Sequence, residues 1–113
     1  MSRVSILSDV DRFGLENGME LRLVSAWEVI GIRQEASEIA SREEDLPLCL
    51  NACLIARALE SEGVSLFESG AKVLETLTAE EIARLAKMWG EFNRSVNPSP
   101  SQPEEGLETL KKN

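Results

Sequence analysis

The sequence predicts a mainly α-helical domain of about four helices, opened by a short β-hairpin and followed by a flexible tail. Three features carry that prediction. Asn17-Gly18 lies between two runs in which apolar and polar residues alternate. Ser25-Ala-Trp-Glu28 and Thr78-Ala-Glu-Glu81 each spell a helix-capping box, and Pro98 begins a stretch rich in proline and serine. The domain is therefore expected over residues 1–97 and the tail over residues 98–113.

In the hairpin, Phe13 and Leu15 precede the turn, and Met19, Leu21 and Leu23 follow it. A two-residue Asn-Gly loop would set Leu15 opposite Glu20. A three-residue loop, Glu16-Asn17-Gly18 with Gly18 left-handed, sets Leu15 opposite Met19 and Phe13 opposite Leu21. That register gathers the hydrophobic side chains on one face and is the one expected. A lone hairpin is marginal in water, so its apolar face must be covered, either by the chain's own helices or by a neighbour's.

Ser25 is placed to cap the first helix, its hydroxyl accepting from the amide of Glu28 while the Glu28 carboxylate reaches back. Val29, Ile32, Ala36, Ile39 and Ala40 form the apolar stripe, with Trp27 and Ile30 on its flank. The acidic run Glu43-Glu44-Asp45 is expected to end this helix and to suit the start of the next, near Leu46-Pro47. From Leu46 to Leu59, eleven of fourteen residues are hydrophobic. A membrane span needs about 20, so this run reads as the central core helix. It is expected to continue to about Glu62 and to stop at Gly63. A connector, Val64 to Phe67, leads to a short helix from about Ser69 to Leu77 that Gly70 weakens. The Thr78 box opens the clearest helix, with Ile82, Leu85, Ala86, Trp89, either Phe92 or Asn93, and Val96 at helical spacing, and Asn97-Pro98 ends it.

The composition restricts the chemistry. Histidine is absent, which removes the commonest general acid/base near neutral pH and the commonest transition-metal ligand. Cys49 and Cys53 share one helix face and read as buried structural thiols; two thiols alone do not complete a zinc site. Asp9, Asp11 and Glu16 lack the ligand spacing and glycine of a calcium loop and read as a solvated turn. No glycine-rich phosphate loop and no nucleophile elbow occurs. The expectation is a protein that is not an enzyme and has no catalytic residues, cofactor or metal. A net charge of −8, from 20 acids against 12 bases, opposes a phosphate-binding surface, so no nucleic acid is expected. The N-terminal Met1-Ser-Arg-Val-Ser-Ile-Leu has no signal-peptide pattern, and no membrane association is expected.

What remains is binding. The last helix carries Leu85, Met88, Trp89 and Phe92, an apolar face wider than a small core readily encloses, and Trp27 flanks the first helix. Trp89 either closes the core over the central helix or anchors a partner, since Trp, Met and Phe are enriched in interfaces. These five residues are the candidate partner surface. A helix-turn-helix regulator is a rival, but Arg84, Lys87 and Arg94 share that helix with Glu80, Glu81 and Glu91. An acidic adaptor that binds one folded protein is another.

The hairpin Leu15-Glu-Asn-Gly-Met-Glu-Leu-Arg-Leu23 leads into an acidic helical body. That body closes with Leu77-Thr-Ala-Glu-Glu-Ile-Ala-Arg-Leu-Ala-Lys-Met-Trp-Gly-Glu-Phe-Asn-Arg-Ser-Val-Asn-Pro98. Together these segments resemble the tail assembly chaperones of long-tailed bacteriophages, over most of residues 13–98. The resemblance is one of pattern, without a catalytic motif. It implies a small helical protein that binds the phage tape measure protein, keeps it soluble while the tail tube polymerises round it, and self-associates into a curved oligomer. It implies action in the host cytoplasm and absence from the mature virion.

The resemblance also implies two products, the longer made by a −1 ribosomal frameshift and recruiting tail tube protein. Lys111, Lys112 and Asn113 can be encoded AAA-AAA-AAC, which contains a slippery heptamer. On that expectation they mark the frameshift site, and the Pro/Ser tail is a linker to the extension. Without the resemblance, they are simply the basic end of a flexible tail.

Overall fold

The computed structural model describes residues 12–96. The tail over residues 98–113, with Lys111, Lys112 and Asn113, lies outside the described residues, as do Asp9 and Asp11. The described chain is mainly α-helical, with an N-terminal antiparallel strand pair, as the sequence predicts. Strand β1 is Arg12–Gly14 and β2 is Met19–Arg22; helix α1 is Ala26–Ile39 and α2 is Leu46–Ala58. Strands β3, Leu59–Ser61, and β4, Val64–Ser65, precede helices α3, Gly70–Thr76, and α4, Ala79–Val96. Among the described residues no helix is long and apolar enough to cross a membrane.

The hairpin adopts the expected register. Phe13 pairs with Leu21, and the Leu15 amide donates to the Met19 carbonyl at 2.7 Å. Glu16–Gly18 forms a single 3₁₀ turn in which Gly18 (φ 76°) and Asn17 (φ 64°) are both left-handed, a conformation asparagine tolerates better than most residues. The hairpin is not alone, however. β2 also pairs with β3, and β3 with β4, giving an antiparallel sheet in the order β1-β2-β3-β4.

This sheet corrects the expected course of the second helix. α2 ends at Ala58 rather than Glu62, and Leu59 turns to extended backbone (φ −88°, ψ 119°). Gly63 therefore does not stop a helix. It sits with Glu62 in a two-residue hairpin turn, both with positive φ (81° and 54°), the geometry that matches the twist of paired strands. The cause is tertiary: Leu59 is buried opposite Leu21, and Glu60 is clamped by two arginines. The first helix is also shorter than expected. It ends at Ile39, and Glu43–Asp45 forms a separate 3₁₀ turn leading into α2.

Strand alternation gives the sheet two different faces. Phe13, Met19, Leu21, Leu59 and Leu66 lie on one; Arg12, Glu20, Arg22, Glu60 and Ser65 lie on the other. The apolar face meets α2 and α4, so the chain's own helices cover the hairpin. Leu21, Ile55, Val73 and Ile82 are wholly or almost wholly buried in the core there. α2 is the central element and packs against α1, α3 and α4. Its Cys49 and Cys53 face α1 beside Ile32 and Ala36. Burial raises the pKa of both thiols; for Cys53, burial and then the Glu35 carboxylate push it up to about 12.

Both capping boxes form. The Glu28 amide donates to the Ser25 hydroxyl at 3.1 Å and the Ser25 amide to Glu28 Oε1 at 2.8 Å. The Glu81 amide donates to the Thr78 hydroxyl at 3.0 Å and the Thr78 amide to Glu81 Oε1 at 2.8 Å. Ser69 caps α3 by accepting from the Lys72 amide.

Candidate functional site

The apolar face of the sheet is not completely covered. Two adjoining depressions lie along it, of about 270 Å³ and about 590 Å³, sharing Met19, Arg84 and Leu85 in their walls. Together they form one groove. At one end it is lined by Leu59, Leu66, Phe67 and Leu77, and at the other by Phe13, Leu15 and Met88. Arg84, Glu81 and Glu16 supply charge among these apolar walls. The two methionines bring flexible, polarizable side chains able to adapt to varied apolar surfaces. Leu66 and Phe13 remain 43% and 40% exposed, so the groove is open to solvent along its length.

Each wall follows from local structure. The three-residue turn fixes the strand alternation that turns Phe13, Leu15 and Met19 to one side. On α4, Glu81, Arg84, Leu85 and Met88 are three, four and seven residues apart and share one face. Leu66 and Phe67 are carried in by the turn from β4 toward α3, after the Leu66 amide donates to the Leu59 carbonyl at 3.2 Å.

The structure separates the five residues expected at a partner surface. Leu85 and Met88 line the groove. Phe92 does not: it is 5% exposed, packs with Leu23 and Val96, and meets the Phe13 ring at 5.5 Å between centroids. Trp89 is half-buried against the core, and its Nε1–H donates to the Arg22 carbonyl at 2.8 Å. Both are taken up within the molecule, because α4 crosses the end of β2 where those groups find partners. Trp27 is 80% exposed on α1 and lines neither depression. Sequence reasoning missed Leu66, Phe67 and Met19 as groove residues. Leu66-Phe67 sits in a connector with no helical or strand period, and only the unforeseen β4 gives it a direction.

The opposite face of the sheet holds an ion-pair network. Glu60, 7% exposed, accepts from Arg12 Nη1 at 2.5 Å and from Arg22 Nε at 3.0 Å. Arg22 also forks onto Glu28, with distances of 3.1 and 2.6 Å. Hydrogen bonds from Arg22, reinforced by the Ser25 amide, lower the Glu28 pKa to about 2. This network ties β1, β2, β3 and the start of α1 together.

No protein-family model matches the chain, and neither a curated protein nor a solved structure proved similar to it.

Proposed function

We propose that the protein is a phage tail assembly chaperone whose groove holds an apolar helical stretch of the tape measure protein and keeps it soluble. One observation supports this above the others. The two segments that carry the resemblance, residues 15–23 and 77–98, both contribute walls to the groove, Leu15 and Met19 from the first and Leu77, Leu85 and Met88 from the second, beside Phe13, Leu59, Leu66 and Phe67. An apolar groove with two adaptable methionines in its walls suits a long partner with many similar apolar faces, and repeated weak contacts along it add by avidity. The acidic exterior, with its net charge of −8, would keep such a complex dispersed. Self-association, a longer frameshifted form that recruits tail tube protein, and action in the host cytoplasm without incorporation into the virion belong to the same proposal.

The test is co-expression with the tape measure protein encoded by the same genome. The native chain should hold it in the soluble fraction. Leu66→Glu and Met88→Glu, which place a charge in an open groove, should lower that fraction about tenfold at unchanged helix content, as expected when anchors of about 1.4 kcal/mol or more are lost. Folded groove variants that solubilise the partner as well as the native chain would refute the groove. A native chain that never retains the partner would refute the function. Codons AAA-AAA-AAC beneath Lys111, Lys112 and Asn113, with an open −1 frame beyond, would support the longer product; codons unable to slip would remove it.

A further inference from the structure

Trp27 takes no part in the core or the groove. It is 80% exposed on α1, and Ile30, 46% exposed, follows one turn later on the same side of the helix. Single exposed hydrophobic residues are ordinary, but a bare indole beside a second apolar side chain is the composition of an interface. Trp89 is the contrast: its ring is packed and its N–H bonded within the chain. Trp27 and Ile30 together form an apolar knob.

The groove is the other half of such a contact, a concave apolar surface still open at Leu66 and Phe13. Neither knob residue lines either of its depressions. An apolar protrusion and an apolar hollow at separate places on one folded chain meet between two copies, head to tail.

Charge selects a second copy as the occupant. Two chains of net charge −8 repel, so their association needs local compensation. Arg33, exposed one turn beyond Ile30, has no acceptor among the described residues. Glu28 is committed to Arg22, and Glu38, further along that side of α1, is about three turns from Trp27. At the groove, Glu16 is an exposed carboxylate with no donor among the described residues, and Glu81 stands in the wall of the smaller depression. With Arg84 as the base between them, two acids leave the groove net negative where the knob brings a positive charge.

We propose that Trp27 and Ile30 of one copy seat in the groove of a second copy, with Arg33 beside the acids of that groove. Each added copy leaves one knob and one groove free, so the assembly grows beyond a dimer. A tryptophan buries about 150–250 Å², and the pair together falls below the roughly 800 Å² per partner of a stable complex. The contact should therefore be weak, half formed on the order of 0.1 mM. It uses the groove but not the identity of the tape measure protein, which would compete with Trp27 for the same surface.

The experiment is sedimentation velocity on the full chain alone, from about 10 µM to about 1 mM. The native chain should pass from monomer to species larger than a dimer. Trp27→Ser, which removes the knob, and Leu66→Glu, which charges the groove, should each stay monomeric at unchanged circular dichroism; Met88→Glu replaces Leu66→Glu should that variant lose helix. Mixed together, the two variants retain one intact knob and one intact groove, and should form a heterodimer that grows no further. Arg33→Glu should weaken native association about threefold or more. A native chain monomeric throughout, or a mixture that stays monomeric, would overturn the proposal. Self-association that survives in Trp27→Ser would mean that grooves pair with grooves, and in Leu66→Glu that α1 pairs with α1; either would overturn it. The tape measure protein is absent throughout, so failure here leaves its capture standing, and failed capture leaves this contact standing.

Discussion

Trp89 illustrates how one residue can serve packing where its type suggests recognition. Its indole is amphipathic: the ring packs on the core while the N–H needs an acceptor. The Arg22 carbonyl is that acceptor, so Trp89 fastens α4 to the end of β2. Trp89→Phe keeps most of the apolar area and leaves that carbonyl without its partner. It should lower stability by about 1–3 kcal/mol, read as a lower urea midpoint at unchanged m-value. Groove binding should fall far less than in Leu66→Glu. Phe92 was legible as a stripe residue, but not its destination: the same spacing fits a buried stripe and a docking stripe. The periodicity of one helix does not say what lies opposite.

At the scale of the element, α3 depends on a glycine that helix propensity marks as a weakness. A Cβ on Gly70 would lie 2.4 Å from Cys53 Sγ and 3.1 Å from Cys53 Cα, so α3 starts in close contact with the backbone of α2. Its amide also donates to Glu35 across the junction with α1. Gly70→Ala should therefore destabilise the protein by about 1–3 kcal/mol although alanine favours helix, because the new methyl meets the buried Cys53 Sγ, with the α2 backbone tight behind it, and forces α3 away. A rise in thermal midpoint would contradict this packing. The capping boxes were legible because a cap is a local exchange between residues three apart. The end of α2 was not. Gly63 fits a helix stop and a hairpin turn equally well, and the choice lay with β2, nearly forty residues away in sequence.

For the whole molecule, the two faces of one small sheet divide the work. The apolar face joins the core and leaves the groove; the polar face carries the Arg12–Glu60–Arg22–Glu28 network. Glu28 sets a pH window for that network. Its folded pKa, about 2, lies below the ordinary 4.5. Its contribution to stability is thus fully present above 4.5 and is lost as pH falls toward 2. Urea midpoints of the native chain and Glu28→Gln should differ near neutral pH and converge as pH approaches 2. A gap that persists at the acid end would mean that Glu28 acts through packing rather than charge. Its side chain is 23% exposed and so partly reached by solvent and salt, so the effect should be modest and should shrink with added salt.

By itself, the sequence determined the helical class, the hairpin register, both capped helix starts and the central place of α2. Each rests on spacing within a short stretch: alternation, helical period, or a cap and its partner. Only the tertiary structure decided that Leu59–Ser61 becomes a strand, that Trp89 and Phe92 turn inward, and that Leu66 and Phe67 complete a groove. Each of those outcomes depends on which distant group is available as a hydrogen-bond or packing partner. Local spacing defines what a segment can do, and the partner it meets in three dimensions selects among those possibilities.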